Sequence, residues 1–146
     1  MVTPNNSISF RLFSIQTDEF ATFEIGSPDG VPDLTIDVTF SSDLNQRLVA
    51  CVMGFKFSEE EKILTVLKTT CLFEIEEKSW NNSIIQESKY IIPKNILEHF
   101  CVITVGASRG ILHTKTENTP FNKYMIPTLN ITQFIPSDVE FDTQKK

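Results

Sequence analysis

The stretch Arg47-Leu48-Val49-Ala50-Cys51-Val52-Met53-Gly54-Phe55-Lys56-Phe57, Ser58-Glu59-Glu60-Glu61, Lys62-Ile63-Leu64-Thr65-Val66-Leu67-Lys68-Thr69-Thr70-Cys71-Leu72-Phe73-Glu74-Ile75 decides the fold. Two β-branched and aromatic runs flank a short acidic break, the pattern of a long antiparallel hairpin. Strand side chains alternate in direction, so the faces separate. Val49, Cys51, Met53, Phe55 and Phe57 share one face of the first run; Ile63, Thr65, Leu67, Thr69, Cys71, Phe73 and Ile75 share one face of the second. The opposite faces, including Leu64 and Val66, are mixed. A mixed face fits a subunit contact, or an outer face with scattered apolar side chains. On the first reading, Leu64 or Val66 to Lys disrupts assembly, whereas Ile63 or Leu67 to Lys unfolds the subunit.

Upstream, Ile8–Gln16 and Phe20–Ile25 read as one long strand irregular near Asp18, or as two short ones. Gly26-Ser27-Pro28-Asp29-Gly30-Val31-Pro32-Asp33 is dense in turn formers and carries the chain across the sheet. Leu34–Phe40 alternates strictly, as a strand with one buried and one wet face does. Downstream, Ile84–Ile92 fits a short strand or the approach to a helix. Pro93 then suits a first helical turn, and Ile96, Leu97, Phe100, Cys101 and Ile103 have helical spacing. The helix continues through His113, with a break near Val102 suggested by Val102-Ile103-Thr104-Val105. The tail, with Phe121, Tyr124, Met125, Ile126, Leu129, Ile131, Phe134 and Ile135 between three prolines, is expected to lie extended against sheet or helix.

A chain of 146 residues suits one domain, here taken as 1–146. The net charge of −6 disfavours nucleic-acid binding, which needs clustered Lys and Arg. Cys51, Cys71 and Cys101 have no CxxC spacing and read as buried free thiols. Met1–Ser7 has neither a basic start nor an apolar run, and no stretch approaches a membrane span, so a cytoplasmic location without membrane insertion is expected.

No catalytic residue, metal site or cofactor is expected. His99 and His113 are too far apart to share a metal on one helix, and no nucleophile, metalloprotease or phosphate-loop motif is present. Gly106-Ala107-Ser108-Arg109-Gly110 superficially resembles a phosphate cradle but lies within a helical run. Its small residues are expected to permit close packing, with Arg109 offering a donor fork to a carboxylate or carbonyl. Glu59-Glu60-Glu61 reads as a solvated turn or a docking patch.

The ordered pieces resemble the SecB protein-export chaperone family. Thr22-Phe23-Glu24 is similar to the end of the family's first strand, and Pro32-Asp33-Leu34-Thr35-Ile36-Asp37-Val38 to its crossover segment. Leu72-Phe73-Glu74-Ile75 resembles the end of the central hairpin, Ala107-Ser108-Arg109 the start of the main helix, and Pro127-Thr128-Leu129-Asn130-Ile131 the segment after it. Their shared order carries the resemblance. It implies an α+β fold, an antiparallel four-stranded sheet with helices packed on one face, assembled as a dimer or a dimer of dimers. It implies an ATP-independent chaperone, not an enzyme, that holds unfolded polypeptides in apolar grooves, with the SecA motor as a further partner. Val31, Leu34, Ile36, Val105, Ala107 and Phe134 fall at the peptide-binding positions, Ile63, Thr65, Leu67 and Thr69 at the family's subunit-packing positions, and Glu24 at partner docking; the mixed face adds Leu64 and Val66 to the candidate oligomer interface, and which face is used stays open.

Two departures stand out: the family's crossover tryptophan is Gly30 here, and an acidic position for SecA is Val66. Client holding therefore transfers better than SecA docking. The alternative is a module of the same fold dedicated to one partner, such as a solubilising or antitoxin-associated chaperone; a small-ligand or enzyme domain is the remaining reading.

Overall fold

A computed structural model describes residues 7–142; the expectation placed on Met1–Asn6 lies outside the described residues. The quoted stretch forms β3 (Leu48–Glu59) and β4 (Lys62–Ile75), paired antiparallel across a two-residue turn. Both turn residues, Glu60 and Glu61, have positive φ (52° and 71°), the backbone that matches strand twist in a tight hairpin. β1 (Phe10–Thr22) pairs with β4, and β2 (Asp33–Asp43) with β3, giving the order β1-β4-β3-β2. β1 is one strand with irregular register at Phe13 and at Asp18, the second where the sequence breaks. β2 alternates half-buried and exposed residues along its length, as its sequence predicts.

One face of this sheet carries the core. Val49, Cys51, Met53, Phe55, Phe57, Leu67, Cys71, Phe73 and Ile75 are buried, as strand alternation predicts. The expectation for Ile63 and Leu64 is reversed. Phe57 pairs with Thr65 but Ser58 with Ile63, so Leu64 is an extra residue in β4. This bulge inverts the alternation beyond it: Leu64 is 1% exposed and Ile63 40%. Leu64, Thr65, Leu67 and Thr69 are all buried within the subunit, leaving only Ile63 and Val66 of the six interface residues accessible.

A short helical turn, α1 (Glu77–Ser79), and a wider turn over Trp80–Ile84 follow. Ile84–Ile92, open between strand and helix in the sequence, enters a hairpin of β5 (Ile85–Gln86) and β6 (Lys89–Ile92). β7 (Val139–Asp142), which periodicity did not reveal, pairs with β6 in a second, three-stranded sheet. Between them runs α2 (Lys94–Thr116), unbroken at Val102. Of its β-branched run, Thr104 and Val105 are buried on the sheet and Ile103 half-buried, while Val102 is exposed; on the same face Phe100 stacks on Phe73 at 4.0 Å between ring centroids and Phe10 meets Phe100 edge-on at 4.9 Å. Thr104, Ser108 and Thr116 are buried too, and each hydroxyl donates to the carbonyl one turn back, at 2.7 Å. The tail crosses the same face: Ile126 and Ile135 are buried, and Arg109 Nε donates to the Ile126 carbonyl (2.9 Å) while Nη2 bonds that of Pro127. The donor fork of Arg109 thus closes on backbone carbonyls.

Candidate functional site

Two grooves flank the helix-bearing face. The first, about 360 Å³, lies between the crossover segment joining β1 to β2 and the tail after α2. Pro28, Gly30, Val31, Pro32 and Leu34 line one side, Tyr124, Met125 and Pro127 the other, with Phe57 of the sheet between. Val31 is 89% and Met125 65% exposed. Such apolar exposure on opposing walls suits an apolar ligand or an extended chain.

The crossover segment follows no regular element, yet it is fixed by side chains far away in sequence. Gly26 N–H donates to the Tyr124 hydroxyl (2.8 Å), and the buried Tyr124 ring packs on Phe57 at 5.6 Å. Ser27 N–H donates to Glu59 Oε1 (2.8 Å), at the end of β3. That bond, with one from the Ser27 side chain and the nearby Lys123 and Lys62 charges, holds the Glu59 carboxyl below its ordinary pKa. The Phe23 N–H continues the pairing with β4 through the Leu64 carbonyl at 2.8 Å.

The second groove, about 550 Å³, lies between β1 and the outer side of α2. Ile15 and Thr17 face Gly106, Ala107, Gly110 and Ile111 across it. Of the small residues expected to permit close packing, Ser108 is buried and Ala107 packs against the core, whereas a Cβ added at Gly106 or Gly110 would meet nothing within 4 Å.

The residues predicted for peptide binding are not all together. Val31 and Leu34 share the crossover groove, whereas Ala107 lines the second. Ile36 and Phe134 are half-buried and pack against the core, and Val105 is buried in it. Glu24 is exposed and 3.9 Å from Lys62 Nζ. The sequence put Glu59 in an acidic turn cluster and Tyr124 and Met125 in the extended tail, and gave none of them a place at the crossover groove. Only the two glycines bracketing the turn hinted that another group occupies its inside; their partner is 32 residues from Ser27.

Neither groove concentrates titratable groups. Among the described residues, no three His, Cys, Asp or Glu side chains converge on a point where a metal could bind. All three cysteines are free and buried, as predicted. Cys51 and Cys101 lie 3.9 Å apart, and their hydrogen bond together with burial pushes the Cys51 thiol up, away from the reactive thiolate. His113 is exposed beside Glu117 and Asn122, while the His99 ring lies near Phe10. No helix among the described residues is long and apolar enough to cross a membrane.

A four-stranded antiparallel sheet in the order β1-β4-β3-β2, with one long helix on a single face and a crossover between its two edge strands, is the SecB-like fold. Among solved structures, the chain is similar to Rv1957, a SecB-like chaperone of Mycobacterium tuberculosis in complex with a ChAD peptide from the Rv1956 HigA1 antitoxin. The match has a TM-score of 0.52 at 10% identity and covers 83% of this chain and 88% of that one. A protein of unknown function from Streptococcus agalactiae matches at a TM-score of 0.39 and 8% identity, over 85% and 99% of the two chains. No protein-family model and no curated protein matches. At such identities the likeness is one of fold.

Proposed function

We propose that this chain is a polypeptide-binding chaperone module that seats an extended apolar segment of a dedicated partner in the crossover groove. The observation that carries this reading is the pair of exposed apolar side chains, Val31 and Met125, on opposite walls of a groove floored by Phe57. Support comes from the SecB-like neighbour, which is described with an antitoxin peptide. The binding is non-covalent and uses no ATP, and its work is to cover apolar surface that would otherwise aggregate. The protein would act in the cytoplasm.

The test is breadth and site together. A native pull-down should return one stoichiometric partner, and Val31→Asp or Met125→Asp should weaken it at least tenfold, about 1.4 kcal/mol. Equal binding by both variants moves the site elsewhere. A spectrum of unfolded chains in the pull-down favours the second reading, general holding for export, with exposed Glu24 as the point of SecA docking.

Self-association belongs to the same proposal. β1 is an edge strand, and its Leu12, Phe13 and Ile15 are 39%, 47% and 49% exposed. Sheet edges of this kind are ordinarily covered, and a second copy is the cover we favour, with Ile63 and Val66 as the accessible β4 contacts. Size-exclusion with light scattering should give a dimer or tetramer; a strict monomer removes this part.

A further inference from the structure

Glu59 stands at the end of β3, outside the groove, yet its carboxylate reaches into the crossover turn. A Cβ on Gly26 would lie 2.6 Å from Glu59 Oε1, and one on Gly30 would collide with Oε2 of the same carboxylate. Neither glycine has positive φ, so backbone freedom does not explain them. What they share is the space that Glu59 fills. One carboxylate therefore occupies two missing side chains and accepts the Ser27 N–H between them. The Gly30 N–H in turn closes the turn on the Ser27 carbonyl at 3.0 Å.

We propose that Glu59 is a positioning residue for the crossover groove: seated between Gly26 and Gly30, its carboxylate latches the Ser27–Val31 turn to the hairpin tip and so sets where the Val31 wall stands opposite Met125. The inference rests on the polypeptide-binding reading for its purpose but not for its geometry. It assigns Gly30 a reason of its own. The residue is small because a carboxylate from β3 takes the room that a larger side chain would need. Without the latch the bond from the Gly26 N–H to the Tyr124 hydroxyl remains, but it lies at the start of the turn and does not reach Ser27.

Two routes break the latch, and they are not independent. Glu59→Ala removes the acceptor. Gly30→Ala leaves it but pushes its flexible end off Ser27. Each should speed amide hydrogen exchange at Ser27 about tenfold, the loss expected of one charge-assisted hydrogen bond. The double variant should lie close to Glu59→Ala alone, well short of the product of the two single effects, because the added methyl then meets no carboxylate and only the Ser27 Cβ, 3.2 Å away, remains beside it. Glu59→Gln, whose amide oxygen still accepts but without the charge, should fall between wild type and Glu59→Ala. Binding is read with fluorescein-labelled, reduced and carbamidomethylated lysozyme as an unfolded client, and its Kd should rise in step with exchange. Additive exchange effects, or Glu59→Gln behaving like Glu59→Ala, overturn the latch. Faster exchange with unchanged Kd overturns its control of the groove while leaving polypeptide binding intact. A wild type that does not bind the lysozyme client removes general holding and leaves the dedicated-partner reading to the pull-down, and the exchange pattern still decides the latch.

Discussion

Two pairs of glycines, each four residues apart, stand at the two grooves, Gly30 lining the first with Gly26 beside it and Gly106 and Gly110 lining the second, and an added methyl distinguishes them. Gly26 and Gly30 are small because a carboxylate from elsewhere in the chain fills the space, whereas a methyl on Gly106 or Gly110 meets nothing within 4 Å. The first pair is explained inside the molecule; the second is not. A helix-interior glycine costs about 1 kcal/mol relative to Ala, and at Gly106 and Gly110 no described atom takes up the room that the missing methyl leaves. The crossover turn is thus packed by its own chain, whereas the β1–α2 groove is left open in the subunit.

The sharpest way to break the first half of this comparison is to remove what lies beneath it. Leu64 Cδ1 is 3.1 Å from where a Gly26 Cβ would be, so the bulged leucine supports the crossover turn from below. Leu64→Lys places a charge at a fully buried site and should destabilise the fold by about 4 kcal/mol or more. Ile63→Lys, one residue away and 40% exposed, should stay within about 0.5 kcal/mol. Urea unfolding followed by circular dichroism measures both. Similar losses for the two would mean that Leu64 is not the extra residue.

That contrast also marks how far the sequence could be read. Hairpin, faces and crossover follow from period-two alternation and turn chemistry, which act locally, and the strict pattern of Leu34–Phe40 maps onto β2 residue for residue. α2 was legible from Ile96, Leu97, Phe100 and Cys101, although Val102–Val105 hid its continuity, because propensity says nothing of the sheet that buries Thr104 and Val105. The bulge was illegible for a different reason. Parity counting assumes no inserted residue, and one insertion exchanged the places of Ile63 and Leu64. Of the site, Val31 and Leu34 were found through the resemblance. Glu59 and Tyr124 were not, since a side chain bonding a backbone N–H 32 or 98 residues away leaves no periodic trace.

A smaller effect tests the other tether of the crossover turn. Tyr124→Phe keeps the ring on Phe57 but leaves the half-buried Gly26 N–H without its acceptor, a loss of about 1–2 kcal/mol. Amide exchange should quicken at Gly26 while α2 stays protected. Protection lost in both would make Tyr124 a global core residue rather than a tether.

On the other groove the sign reverses. Gly106→Ala and Gly110→Ala should each stabilise the subunit by up to about 1 kcal/mol, seen as a rise in Tm at low concentration. If a second copy covers this groove, the same changes should weaken association in light scattering as the methyls enter the contact. Stabilisation with unaltered association would leave this groove out of any interface.

The smallest effect separates the grooves by pH. Glu59 has its carboxyl held below the ordinary 4.5 by the Ser27 backbone and side-chain bonds, with desolvation opposing the shift and the Lys123 and Lys62 charges adding to it. A group whose folded pKa is depressed contributes stability that is fully present above the unfolded pKa and is lost as pH falls through the folded one. The Ser27 latch should therefore be intact at neutral pH, begin to weaken below about 4.5, and be lost once the pH is under the depressed value. Its exchange, corrected for intrinsic pH dependence, should show a step in that acidic window. Exchange in the middle of α2, beside the second groove, should show none before global unfolding. Glu59→Gln should flatten the Ser27 step, because an amide keeps accepting at every pH; a step that survives the substitution would belong to another carboxylate and detach the pH response from the crossover turn.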